Sequence, residues 1–136
     1  MGTVVETVSP LSTRDAVHYR QTIEPNVLSG SFTADDTDNH DFKFSSRGKS
    51  HLTVAVDNPA DQGCTFALYG MHSISDTVGS VGTFPIGAAV TVATASKGYE
   101  TCADGFPFYL LRVVYAVAPT DVPKKTTTMY ADFLGA

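Results

Sequence analysis

The chain has 136 residues, 43% of them hydrophobic and only 17% charged, with a net charge of -5 at pH 7. This is the size and composition of one globular domain that can bury a core without staples, and it excludes an intrinsically disordered chain. The acidic balance excludes a nucleic-acid-binding module, which needs a basic face to replace counterions.

The N-terminus reads Met-Gly-Thr-Val-Val-Glu-Thr-Val-Ser-Pro. It lacks the cationic start and apolar stretch of a secretory signal, and no run reaches the length of a membrane span, so neither export nor a membrane partner is expected. Gly2 follows Met1, but an N-myristoylation site needs Ser or Thr where Glu6 stands. Residues 1–26 are polar, carry Pro10 and Pro25, and show no core stripe. They read as an extended arm or a peripheral hairpin, with 27–136 forming the folded domain. Within the arm, Thr13–Arg20 could open a helix capped by Ser12 or Thr13, while Val17–Ile23 reads equally as a strand. Such arms often order by lying on a neighbouring subunit, so Val4, Val5, Val8 and Leu11 are candidate contact residues.

Strand patterns dominate from Val27 onward. Candidates are 26–33, 42–45, 51–56 with Leu52, Val54 and Val56 on one face, and 64–69 with Cys64, Phe66 and Leu68 inward. A short strand follows at 90–94. Phe108–Tyr115 is the most apolar stretch and is expected at a sheet centre, where both faces are buried. Arg112 interrupts it and must be paired or lie at an edge. Residues 118–125 read as a polar hairpin loop before a last strand at 126–133. Short strands at regular spacing, separated by turn residues, predict an all-β fold: an antiparallel β-sandwich, jelly-roll-like, with an extended N-terminal arm.

Chemistry is sparse. Asp35, Asp36, Asp38 and Asp41 lie within seven residues, and oxygen-rich loops can hold calcium. Counted from Asp36, however, the Gly and Glu of a calcium-binding hand are replaced by Asp41 and Arg47, so a solvated turn is the better reading. His18, His40, His51 and His72 show no zinc-ligand spacing with one another or with Cys64 and Cys102. The two cysteines read as reduced, buried small hydrophobes. Ser29-Gly-Ser31 and Gly79-Ser-Val-Gly82 are not nucleophile elbows, and the only glutamates are Glu6, Glu24 and Glu100. No catalytic residue, metal or cofactor is expected, and the chain is not expected to be an enzyme. Tyr69, Tyr99, Tyr109, Tyr115 and Tyr130 could stack on sugar rings, which leaves a carbohydrate- or host-surface-binding module as the alternative.

Three stretches together carry a resemblance: Leu52-Thr-Val-Ala-Val-Asp-Asn58, Phe66-Ala-Leu-Tyr-Gly70, and Phe106-Pro-Phe-Tyr-Leu-Leu-Arg-Val-Val-Tyr-Ala116 running into Ala118-Pro-Thr120 and the Thr-rich final strand. Over residues 42–134 the chain resembles the small β-sandwich proteins of tailed-phage virions, head decoration (cement) proteins among them. It is similar too to accessory sandwich domains of other virion and cell-surface proteins. The resemblance implies a non-catalytic protein on the capsid surface, with the major capsid protein and itself as partners in a homotrimer. The expected interaction surface comprises the arm, Asp35, Asp36, Asp38 and Asp41, and Pro119, Lys124 and Lys125.

Overall fold

The computed structural model describes residues 27–133. They form eight strands: β1 Val27–Ala34, β2 His40–Ser45, β3 Leu52–Asn58, β4 Cys64–Met71, β5 Thr83–Val92, β6 Ser96–Cys102, β7 Phe108–Tyr115 and β8 Lys125–Phe133. Among the described residues no helix is long and apolar enough to cross a membrane.

The strands make two four-stranded sheets, ordered β1-β8-β3-β6 and β2-β7-β4-β5. All pairings are antiparallel and nested: β1 with β8, β2 with β7, β3 with β6, β4 with β5. This is one long antiparallel ribbon rolled into two layers, the jelly-roll arrangement expected from the strand spacing.

Alternation within each strand builds the core. Leu52, Val54 and Val56 of β3, Phe66 and Leu68 of β4, Tyr109, Leu111, Val113 and Tyr115 of β7, and Met129, Ala131 and Phe133 of β8 all point between the sheets and are buried. Each such side chain contributes about 1.5–3 kcal/mol relative to exposure. β7 sits between β2 and β4, as its two apolar faces required. Its other face buries Leu110 completely, as it does Met71 of β4, outside the main cluster. Lys43 Nζ donates to the Ile74 carbonyl at 3.3 Å, which ties the β4–β5 connection to this side of the sheet. Arg112 is paired: its guanidinium makes two bonds to Asp41, at 2.7 and 2.8 Å, directly across the β2–β7 ladder.

Two expectations are corrected. The strand expected at 90–94 is the end of a longer β5, and β6 was not anticipated at all. β5 contains Pro85 and Gly87, which read as breakers, but it is an edge strand with a register shift opposite Phe66 and Leu68, where both are tolerated. Residues 118–125 do not form a hairpin. β7 and β8 lie in different sheets, so this segment crosses the end of the sandwich, and β8 pairs with β1 and β3 instead.

Candidate interaction surfaces

The nested register decides which loops meet. Ala34 lies opposite Lys125, Asn58 opposite Ser96, and Cys64 opposite both Val92 and Tyr115. The four connections 35–39, 59–63, 93–95 and 116–124 therefore share one end of the sandwich. At the other end Val27 pairs with Asp132, so the chain enters the fold there. The acidic loop and the 118–125 segment are brought together, whereas Val27, the first described residue, lies at the opposite end. Val4, Val5, Val8 and Leu11 lie outside the described residues.

The loop end is pinned from beneath by Asn58, which is fully buried. Its Oδ1 accepts from Tyr115 Oη at 2.6 Å and from the Ala60 amide at 3.0 Å. Its Nδ2 donates to the carbonyls of Gln62 at 2.9 Å and Ala93 at 3.1 Å. Tyr115 Oη also bonds Thr127 Oγ1 at 2.6 Å, so one polar knot joins β3, β7, β8 and two loops. Burial pushes the Tyr115 phenol up to about 12. The knot remains neutral, and its polar groups are satisfied without charge.

Above the knot, Asp61 accepts from the Thr120 hydroxyl at 2.6 Å and the Thr120 amide at 3.0 Å. Those bonds hold its carboxyl below the ordinary value. The Asp61 amide donates in turn to Asp121 at 2.9 Å. Lys125 Nζ stands 3.8 Å from Asp121, and Lys124 is exposed. Pro119, expected at the surface, is buried: the Asp61–Thr120 bonds draw its segment against the sandwich. Val117 and Val122 are the exposed apolar residues here.

The aspartate cluster divides. Asp35 and Asp38 are exposed. Asp36 Oδ1 accepts from the Asp38 amide at 3.1 Å and bonds His40 Nε2 at 2.7 Å. The His40 bond, its largest influence, lowers the Asp36 carboxyl below its ordinary value. The His40 ring stacks on Phe32 at 3.8 Å, so the turn is fastened to β1. Asp41 belongs to β2, not the loop, and is engaged by Arg112. Among the described residues no three His, Cys, Asp or Glu side chains gather as a metal site.

Two further surfaces are present; of the candidate stacking tyrosines, Tyr99 and Tyr130 lie on the second, whereas Tyr109 and Tyr115 are fully buried. At the Val27 end, a groove of about 460 Å³ runs between residues 45–50 and 105–108. Beside it Phe84 and Phe106 stack at 5.8 Å, with His72 edge-on to Phe84 at 5.4 Å. Phe106 lies so close over Gly70 that no Cβ fits there. Tyr109 Oη anchors the groove wall by donating to the Asp104 carbonyl and accepting from the Phe106 amide. The second surface is the outward face of the β1-β8-β3-β6 sheet. Its central row runs Ser29, Tyr130, Ala55, Tyr99, and the next row runs Ser31, Thr128, Asp57, Lys97. Tyr99 is 70% exposed and Tyr130 37%. The parity of β3 and β8 marks Ala55 and Tyr130 as outward, but their alignment with Tyr99 depends on β6, which lacks an apolar stripe.

The cysteines are free and buried, Cys64 on β4 and Cys102 at the end of β6. Burial pushes Cys64 up to about 11 and raises Cys102 as well, so neither is a thiolate near neutral pH.

No family model matches the chain, and no curated protein matches it in sequence. Among solved structures it is similar to PirA, with a TM-score of 0.50 and 12% identity, covering 76% of this chain and 92% of that one. It is similar also to the Yersinia pseudotuberculosis-derived mitogen, with a TM-score of 0.50 and 12% identity, covering 83% and 90%. At this identity the likeness is one of fold, a β-sandwich.

Proposed function

We propose that the chain is a non-catalytic structural protein of a virion, one that decorates and stabilises the assembled head and associates with its own copies as a trimer. The observation that carries this reading is the polarity of the domain. The chain enters at Val27, beside Asp132, at the end opposite the four hydrogen-bonded loops. An arm at one end can grip the shell or a neighbouring copy, while the pinned end stands away from it. The resemblance of residues 42–134 to tailed-phage head proteins supports the same reading. A cyclic trimer matches the threefold positions of an icosahedral shell.

The test is co-sedimentation of the full chain with shells assembled from the candidate major capsid protein, with light scattering for the free state. Expected are saturable binding, a higher shell disruption temperature, and a free mass three times 14.4 kDa. Deleting residues 1–25 should leave the circular dichroism of a folded sandwich and abolish binding. A full chain that stays in the supernatant and remains a monomer at both low and high salt would sink the proposal.

A further inference from the structure

We propose that the outward face of the β1-β8-β3-β6 sheet carries a subsite for one neutral pyranose ring, seated over Ala55 between Tyr130 and Tyr99. Ala55 pairs with Tyr130 on one side and Tyr99 on the other, and all three point out of the sheet. Neighbouring strands stand about 4.8 Å apart, so the two tyrosine Cα atoms are separated by roughly 10 Å with only a methyl group between them. The result is a small floor with a tyrosine position on either side. A recess of about 160 Å³ opens there, lined by Ala55, Val56, Asp57, Lys97 and Tyr130, with Tyr99 on the edge strand beside it. Pockets for drug-sized ligands start at about 300 Å³, so this one suits a single ring.

The surrounding charges select the ligand. Asp57 and Lys97 face one another across β3 and β6, one row from the tyrosines. One acid and one base cancel, which disfavours a phosphate or a cation and suits a neutral group that both donates and accepts. Sugar hydroxyls do both, as do the flanking Thr53, Thr101 and Thr128. The C–H face of a pyranose would stack on the tyrosine rings, whose hydroxyls reach water. A peptide adding as a strand is disfavoured over this floor, because β3 and β8 are interior strands whose backbone groups are paired on both sides. The subsite does not depend on the virion reading, and either could fail alone.

The test is a ¹H–¹⁵N titration of the full chain with cellohexaose, chitohexaose and maltohexaose in turn. Saturable shifts with at least one of them are expected at Ala55, Asp57, Lys97, Tyr99 and Tyr130. Tyr99→Ala should weaken that binding about tenfold and Tyr99→Phe should retain most of it, since the ring carries the contact. Ala55→Leu, which fills the floor, should abolish binding while the far-UV spectrum is unchanged. The proposal is overturned if none of the three sugars produces saturable shifts at millimolar concentration, if the shifts lie off this face, or if Tyr99→Ala binds like the parent.

Discussion

Replacing Asn58 with Ala removes the hub of the polar knot at the loop end. The Ala60 amide, at a residue 1% exposed, loses its acceptor. A buried donor left unmatched costs about 1–3 kcal/mol. The carbonyls of Gln62 and Ala93 lose their donor but lie where water reaches them, so each loss is on the order of 0.5–1 kcal/mol. Tyr115 keeps Thr127 as a partner. The sum is about 2–5 kcal/mol, a large share of the roughly 5–15 kcal/mol that holds a domain folded. Tyr115→Phe keeps the packed ring and loses two bonds, while Asn58 Oδ1 keeps the Ala60 amide, for about 1–2 kcal/mol. The double variant should cost less than the two added together, because both singles break the same Asn58–Tyr115 bond. Urea unfolding followed by far-UV circular dichroism measures all three, since the chain has no Trp to report by fluorescence. The midpoint should shift with the slope unchanged. The reasoning is refuted if Asn58→Ala costs less than Tyr115→Phe, or if the two are strictly additive.

Glu100 is turned inward on β6 beside Gly87, and its Oε1 is buried with no hydrogen-bond partner among the described residues. Burial raises its carboxyl above 4.5. Its folded-state value exceeds its unfolded one, so stability should be lost as pH rises from about 4.5 through the raised value. Glu100→Gln should remove that loss, and thermal melts of both proteins from pH 4 to 8 on the order of one unit apart would show it; parallel curves would exclude it. Gly70→Ala should displace Phe106 and cost about 1–3 kcal/mol by denaturant titration, because the new methyl occupies the ring's place. Cys64 and Cys102 should react with a disulfide reagent only as fast as the sandwich opens, so that their labelling rate follows destabilising mutations. Labelling at the rate of a free peptide thiol would contradict their burial.

Much of the fold was legible because one physical signal, side-chain parity, was strong wherever a strand faced the core with large apolar residues. Leu52, Val54 and Val56 show it, and the bounds of Phe108–Tyr115 follow from it directly. β6 was invisible for the opposite reason: its inward positions include Gly98 and Glu100. Gly98 is needed because Val92 Cγ2 stands 2.8 Å from where its Cβ would be, so close packing here erases the very stripe that reveals a strand. The surfaces were harder. Ala34 and Lys125 are far apart in the chain, and only their pairing brings the acidic loop and the 116–124 connection to the same end. Local composition likewise marked Pro119 as a turn residue, and nothing in it reveals that Asp61, nearly sixty residues earlier, fastens the next residue down. Nor does the sequence place the Tyr130–Ala55–Tyr99 row, which requires the registers of three strands at once.

The rolled ribbon also dictates when the protein can come into being. Its innermost turn joins β4 to β5, and each successive layer outward pairs residues more distant in the chain, until Val27 meets Asp132. Such distant contacts close slowly. On a ribosome β1 has no partner until β8 has been made, so it must wait out the synthesis of the seven strands described after it with an uncharged edge of Val, Leu, Ser, Gly and Phe. Completion of the sheet therefore waits on its most distant strand, and the growing chain is most vulnerable to foreign strands in the interval before β8 emerges.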